Sequence, residues 1–168
     1  MPITCPVRLR QLSPGEFDEL DFRVMGHAFA SQNELGRLCE EGVYQCDLQA
    51  RLLADGFRNV QIEVPVTLSH QDFTKTLFID LIADNLVYEL KTVLTLTADH
   101  EAQLFTYLFL LEANRGKLLN FRPAKVEGLL RATGISHADR RHLRLDSSAW
   151  QDITSDCSRP AVGLGRVS

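Results

Sequence analysis

Three β-rich segments joined by very short connections limit the fold of this chain more than any other feature of its sequence. They carry many β-branched and aromatic side chains, as strands do, and they are residues 60–68 (VQIEVPVTL), 75–83 (KTLFIDLIA) and 86–91 (LVYELK). Residues 69–72 and the Asp84-Asn85 pair leave room only for turns between them. We therefore predict three consecutive antiparallel strands. Pro65 has no amide hydrogen to donate, so it belongs at a sheet edge or a bulge.

Helical patterns flank these strands on both sides. Apolar residues recur at helix-type spacing in residues 14–35, 39–54 and 98–113, and two short apolar runs, 117–121 and 126–130, are typical of strands. Ser13 is suited to cap the first helix, because Glu16 stands at the third helical position and completes a capping box. This order of elements predicts an α+β (mixed α/β) fold in which helices pack against one sheet.

Length and composition predict a single domain outside the membrane. The chain has 168 residues, the size of one ordinary domain, and 45% of them are apolar, which is enough to fill a core. We assign residues 1–145 to this domain and predict that the polar residues 146–168 form a disordered C-terminal tail. The N-terminal stretch lacks the apolar segment of a signal peptide, and no apolar run reaches the ~20 residues of a membrane span. We expect a cytoplasmic protein.

The charge distribution is uneven and bears on the choice of partner. A net charge of -4 excludes a strongly basic nucleic-acid coat protein. Residues 1–114 hold 8 basic and 17 acidic side chains, however, whereas residues 115–144 hold 8 basic and 2 acidic ones. An acidic half beside a basic segment suits a metal site next to a bound polyanion. It suits equally well a chain whose charges pair with one another or face the solvent.

Asp80, Glu89 and Lys91 form the pattern with the clearest chemical meaning. Strand alternation places Glu89 and Lys91 on one face, and places Asp80 on a face with Ile82 inside an apolar run. An uncompensated carboxylate there costs several kcal/mol. Neighbouring strands lie about 4.8 Å apart, so Asp80 and Glu89 can approach each other, and Mg²⁺ or Mn²⁺ would relieve their repulsion. Lys91 would then act on a water or a phosphoryl group. The alternative is an ordinary ion pair of Lys91 with either carboxylate.

Two helices carry further candidates. Glu41 lies on or beside the apolar face of the second helix, where it is either a third metal-linked carboxylate or a solvated residue like Glu40. Gln103 and Tyr107 are four residues apart and share one ridge of the later helix. They either order the lysine or a phosphate, or Tyr107 is a core residue with Gln103 at its rim.

Four sequence blocks, taken in order, resemble a known family. They are NELGRLCEEGVY (33–44), FIDLIADNLVYELK (78–91), HEAQLFTYL (100–108) and LLNF (118–121). Together they are similar to the GxxExxY protein family of the PD-(D/E)XK nuclease superfamily, in its RecB-like branch, and the similarity covers about residues 20–130. The resemblance implies an αβββαβ core with a central mixed sheet flanked by helices.

The resemblance also implies a function and a set of site residues. It implies a divalent-metal-dependent nuclease that hydrolyses DNA phosphodiester bonds, with RNA as an open second substrate. The alternative is a catalytically silent module that binds nucleic acid or protein on the same scaffold. We expect Mg²⁺ or Mn²⁺ as cofactor, and a homodimer or a partner protein is possible. The implied catalytic residues are Glu41, Asp80, Glu89, Lys91, Gln103 and Tyr107, the metal ligands are Glu41, Asp80, Glu89 and the carbonyl of Leu90, and the expected nucleic-acid contacts are Tyr44, Arg115, Lys117, Arg122 and Lys125.

Overall fold

A computed structural model describes residues 3–132, which form one six-stranded mixed sheet with helices on both faces. The strands are β1 (Ile3–Thr4), β2 (Val60–His70), β3 (Phe73–Ala83), β4 (Leu86–Lys91), β5 (Arg115–Asn120) and β6 (Glu127–Ala132), and the helices are α1 (Pro14–Leu35), α2 (Glu41–Ala54) and α3 (Ala98–Leu111). The sheet order follows the chain, with β4 and β5 parallel and the other neighbours antiparallel. The predicted α+β fold class and the three-stranded meander are confirmed. The predicted tail, 146–168, and the end of the predicted domain lie outside the described residues.

The first helix begins where its capping residues predict. The Ser13 hydroxyl accepts a hydrogen bond from the Glu16 amide at 3.2 Å, and the Glu16 carboxylate accepts one from the Ser13 amide at 3.4 Å. This capping box satisfies two amides that the helix itself leaves without partners. The helix ends at Gly36, whose φ of 83° suits a residue without a side chain. No helix within residues 3–132 combines the length and apolar character that crossing a bilayer requires.

The sheet separates two apolar cores. The α3-side core packs α3 against the sheet, and its members include Ile79, Ile82, Val87, Leu104 and Leu118. The α1/α2-side core lies on the other face, and its members include Phe17, Leu48, Leu81, Tyr88 and Phe121. Since β4 alternates between the two cores, Glu89 and Lys91 share the face of Val87, as predicted.

The hairpin of β2 and β3 is longer than the strand that follows it. The β2–β3 pairing runs from Val60 and Ala83 to the hairpin tip, whereas β3 pairs with β4 only from Leu81 to Ala83. The part of β3 that precedes Leu81 therefore diverges from β4, and we call this branch point of the sheet the fork. Pro65 lies on the outer side of the hairpin, where β1 pairs only with residues 67 and 68. Its predicted edge position is confirmed.

At the fork, the inward side chains of β2 and β3 change from one apolar core to the other. Ile79 contributes to the α3-side core, but Leu81, two residues later, contributes to the α1/α2-side core. On β2, the change lies at Glu63, which has a φ of 51°, and the β2–β3 register is interrupted here between the Ile62–Leu81 and Val64–Ile79 pairs. Because alternation is interrupted here, Ile82 packs in the same core as Ile79. The regular strand alternation, from which we placed Asp80 on one face with Ile82, is therefore interrupted in β3 between Ile79 and Leu81.

Candidate active site

Two carboxylates meet at the fork between β3 and β4. Asp80 Oδ2 accepts a hydrogen bond from the Leu90 amide at 2.8 Å, and Asp80 Oδ1 accepts one from Gln45 Nε2, on α2, at 2.9 Å. Glu89 Oε1 in turn accepts a hydrogen bond from the Asp80 amide at 3.2 Å. Glu89 is only 1% exposed. The approach of Asp80 to Glu89, inferred from strand spacing alone, is therefore present in the structure.

Neither carboxylate has a cationic partner in direct contact. Burial raises the pKa of Glu89 well above its usual value, and the charge of Asp80 raises it further. Burial also raises the pKa of Asp80, although the Leu90 amide opposes this shift. Within residues 3–132, neither forms an ion pair with a nitrogen closer than 4.0 Å. Ionising both carboxylates in this poorly hydrated position is therefore costly, and a bound cation would strongly favour their ionised forms.

Lys91 is held by polar side chains of α3 and not by a carboxylate. Lys91 Nζ donates to Gln103 Oε1 at 2.8 Å, and Gln103 Nε2 donates to Tyr107 Oη at 3.1 Å. Tyr107 is buried, and burial raises the pKa of its hydroxyl above the usual range, so the hydroxyl stays protonated. Of the alternatives for Lys91, the ordinary ion pair is absent from this structure. The ridge of Gln103 and Tyr107 orders the lysine.

Glu41 is the first residue of α2, and it is half-buried near the fork. Burial raises its pKa, Lys91 lowers it, and Asp80 and Glu63 raise it. Glu41 is therefore close enough to sense the charges of the site. Within the described part of the chain, however, no three His, Cys, Asp or Glu side chains are arranged to hold a metal ion.

The chemistry of the donor set still fits a hard divalent cation. Carboxylate oxygens are the ligands that Mg²⁺ and Mn²⁺ prefer, and Asp80, Glu89 and Glu41 are the residues that would supply them. In this structure the two Asp80 oxygens accept from Gln45 and Leu90 instead. The Leu90 amide donates to Asp80 in this structure, whereas the family resemblance implies a metal contact by the Leu90 carbonyl.

Two residues near the fork are absent from the sequence-based set. Gln45 is buried and contacts Asp80 directly. Its position one helical turn after Glu41 is the signal that would have identified it. Glu63 lies at the break in the β2–β3 register, and its charge raises the pKa of both Asp80 and Glu41. No sequence signal distinguishes Glu63 from an outward residue of an ordinary strand, because its left-handed backbone is set by the fold.

Tyr44 does not reach any surface where nucleic acid could bind. Its side chain is fully buried, and its ring stacks on Phe121 with centroids 4.3 Å apart. The Tyr44 hydroxyl donates to the carbonyl of Gly36. The expected nucleic-acid contact by Tyr44 is therefore wrong in this structure, because the whole side chain is used for packing and for holding the loop between α1 and α2.

Lys117 is likewise unavailable to a polyanion. Its Nζ lies 2.6 Å from Asp21 Oδ2, and both side chains are 13% exposed. Tyr88 donates its hydroxyl to the other oxygen of Asp21 at 2.8 Å. The predicted nucleic-acid contact by Lys117 is wrong, because Asp21 of α1 neutralises its charge in a largely buried ion pair.

Replacing Lys117 with Met should destabilise the fold by about 3 kcal/mol, because it leaves the Asp21 carboxylate buried without a cation. The double variant Asp21→Asn/Lys117→Met should recover part of this loss, since no buried charge then remains. Urea denaturation of the three proteins measures both effects. An equal loss in the single and double variants would contradict this account of the pair.

The other three predicted basic contacts lie in different places. Arg115 begins β5 and is half-buried at the opposite end of that strand from Asn120, which pairs with Lys91. Lys125 is exposed, with its Nζ 5.1 Å from the centroid of the Phe29 ring. Arg122 follows β5 at the end of the sheet that carries Lys91. Of the basic set, Arg122 is the residue that the fold brings towards the fork.

Comparison with known proteins adds family membership to this geometry. Searches of curated proteins and of solved structures find no match. A family model described as the PD-(D/E)XK nuclease superfamily matches residues 18–132, which is more than half of the chain and spans every residue of the fork. The chain belongs to the PD-(D/E)XK nuclease superfamily.

Proposed function

We propose that this protein is a Mg²⁺- or Mn²⁺-dependent nuclease that hydrolyses phosphodiester bonds in DNA. The observation that carries the proposal is the arrangement of charge at the fork. Within residues 3–132, the buried Glu89 and the half-buried Asp80 have no cationic nitrogen within 4.0 Å, and the nearby ammonium of Lys91 donates to Gln103. Superfamily membership supports a nuclease with this arrangement. The finer assignment to GxxExxY proteins and to the RecB-like branch belongs to the proposal.

Each residue has a distinct task in the proposed reaction. Asp80 and Glu89, together with Glu41 and the Leu90 carbonyl, would hold the metal. The metal, when bound, would lower the pKa of a water and neutralise charge on a phosphoryl oxygen. Lys91 would orient the attacking water or stabilise the developing charge on phosphorus.

Gln103 and Tyr107 keep the lysine ready for this task. A lysine in an ion pair would have to break that pair before it could act. Because Gln103 accepts from Lys91 without carrying a charge, the ammonium keeps its full positive charge. Tyr107 holds the other end of the Gln103 amide and thus fixes its orientation.

A cleavage assay tests the proposal directly. We expect cleavage of at least one DNA among circular, linear, single-stranded and double-stranded forms with Mg²⁺ or Mn²⁺, and none with EDTA. Calorimetric titration with Mn²⁺ should detect binding to the wild type and a loss of binding in Glu89→Gln. A matched RNA panel establishes whether RNA is also a substrate. Cleavage that persists in EDTA, or the absence of both cleavage and Mn²⁺ binding, would contradict the proposal.

The proposal extends to the setting of the enzyme. Residues 3–132 form one sheet with its helices and include no separate recognition domain. We therefore propose that sequence specificity is low, or is supplied by a second copy of the chain or by a partner protein. We also propose a cytoplasmic location.

A further inference from the structure

Two arginines clasp each other at the end of the sheet that carries Lys91. Arg37 Nε donates to the carbonyl of Arg122 at 2.7 Å, and Arg122 Nε donates to the carbonyl of Arg37 at 3.1 Å. This reciprocal contact joins the loop after α1 to the loop after β5 through two cationic side chains, although like charges repel each other. Arg37 is exposed, and Arg122 is half-buried.

The clasp holds positive charge that no acid neutralises nearby. Within residues 3–132, neither guanidinium lies within 4.0 Å of a carboxylate oxygen. Among the residues that the structure describes, both side chains donate through Nε alone, which leaves their terminal nitrogens as donors for a ligand. The planar guanidinium group of arginine presents paired donors that match the oxygens of a phosphate group.

Tyr44 contacts the residue that precedes each of the two arginines. Its hydroxyl donates to Gly36, the residue before Arg37. Its ring stacks on Phe121, the residue before Arg122, at an interplanar angle of 17°. Each arginine therefore follows directly after a residue that Tyr44 fixes.

The clasp is also connected to the candidate catalytic residues. The Phe121 amide donates to the carbonyl of Lys91 at 2.9 Å, so Arg122 is one residue away from a direct contact with the end of β4. Arg37 stands four residues before Glu41 along the chain. Gln32 further fixes the loop after β5, because its Nε2 donates to the carbonyls of Phe121 and Pro123 at 2.9 and 2.8 Å.

We propose that Arg37 and Arg122 together bind a backbone phosphate of the DNA strand, next to the phosphate that is cleaved, and that Tyr44 is the positioning residue for both. This inference rests on the proposed function, since it assigns a second contact to the same substrate. It gives Tyr44 a part in nucleic-acid binding that does not require it to touch the nucleic acid.

Binding to DNA, measured separately from cleavage, tests the phosphate contact proposed for Arg37 and Arg122. The parent is the full chain with Lys91→Ala, and the probe is a fluorescent DNA oligonucleotide at several salt concentrations with Mg²⁺. Adding Arg37→Gln/Arg122→Gln should raise Kd by about 10-fold or more, since hydrogen bonds to a charged group are lost. The slope of log Kd against log salt concentration should fall by about 0.7–0.9, the value for one phosphate contact.

Arg58→Gln in the same parent is the matched control. Arg58 is an exposed arginine whose amide donates to Asp84 at 3.1 Å, in the turn before β4 and thus at the other end of that strand from Lys91. Its Kd should stay within about twofold of the parent value. Equal losses of affinity in the control and in the double variant would overturn the proposed phosphate contact. The loss would then follow from the lower net positive charge and not from these two positions.

Tyr44→Phe tests the positioning role, because it keeps the stacked ring and removes only the hydroxyl bond to Gly36. We expect a raised Kd for DNA with unchanged Mn²⁺ binding. A lower melting temperature with unchanged Kd would overturn the role assigned to Tyr44.

The outcomes distinguish the proposed phosphate contact from the proposed function. If the wild type cleaves DNA but the double variant binds as tightly as its parent, the phosphate contact is wrong and the nuclease assignment stands. If the wild type neither cleaves nor binds DNA, both are overturned.

Discussion

Lys91→Ala and Asp80→Asn should each lower the rate of DNA cleavage by about 10³-fold or more while leaving the fold intact. Asparagine keeps the size of Asp80 and an oxygen that can accept from Leu90, but it loses the negative charge that would attract the metal. Alanine at position 91 removes the ammonium and leaves the amide of Gln103 free to bind water. Initial rates under single-turnover conditions, together with circular dichroism, check both parts of the prediction.

The exposed Asp18 and the half-buried Lys75, both outside the fork, offer matched controls for these substitutions. Asp18→Asn removes an exposed carboxylate from α1, and Lys75→Ala removes an ammonium from the hairpin of β2 and β3. Both should keep cleavage rates within about twofold, as expected for surface changes. Full activity of the Asp80→Asn/Lys91→Ala double variant on a panel of DNAs would rule out the assigned site.

Glu89→Gln should abolish cleavage and, at the same time, make the metal-free protein more stable. Glu89 is buried beside Asp80, so its ionised form is destabilised by lost hydration and by repulsion. Glutamine can still accept from the Asp80 amide, and it carries no charge. We expect a gain of about 1–2 kcal/mol, which corresponds to a rise of about 2–4 °C in melting temperature for each kcal/mol.

The pH dependence of stability provides a second measurement on the same variant. Because the pKa of Glu89 is raised in the folded state, the folded protein binds a proton that the unfolded chain has already released. The free energy of unfolding in EDTA should therefore fall as the pH rises above about 4.3, the ordinary pKa of Glu. This fall should be smaller in Glu89→Gln. A variant with the wild-type slope and a lower melting temperature would show that Glu89 stabilises the fold.

Those parts of the structure that depend on neighbouring residues could be predicted from the sequence. The first helix begins at Pro14 because Ser13 and Glu16 form a local capping box. Gln103 and Tyr107 meet because residues four apart on a helix share a ridge. The three-stranded meander follows from its short turns.

The parts that could not be predicted depend on what lies across the fold. Lys117 belongs to a basic segment by sequence, yet Asp21, 96 residues earlier, neutralises it. Tyr44 is an aromatic residue near a candidate site, and only Phe121 and Gly36 reveal that it packs inward. The positive φ of Glu63 occurs where the pairing of β2 with β3 is interrupted, and no local sequence pattern indicates it.

The change of faces at Glu63 and Asp80 also determines where the chain tolerates a difference in length. One residue deleted from β2 at this point would turn Val64 and Val66 away from the core that they fill and bring Pro65 inward. At the other end of the hairpin, Gln71 and Asp72 form an exposed turn that lies outside both cores. Added residues there alter no pairing and cost little free energy. Insertions should therefore be accepted at the tip of this hairpin, whereas changes of length should be rejected at its centre.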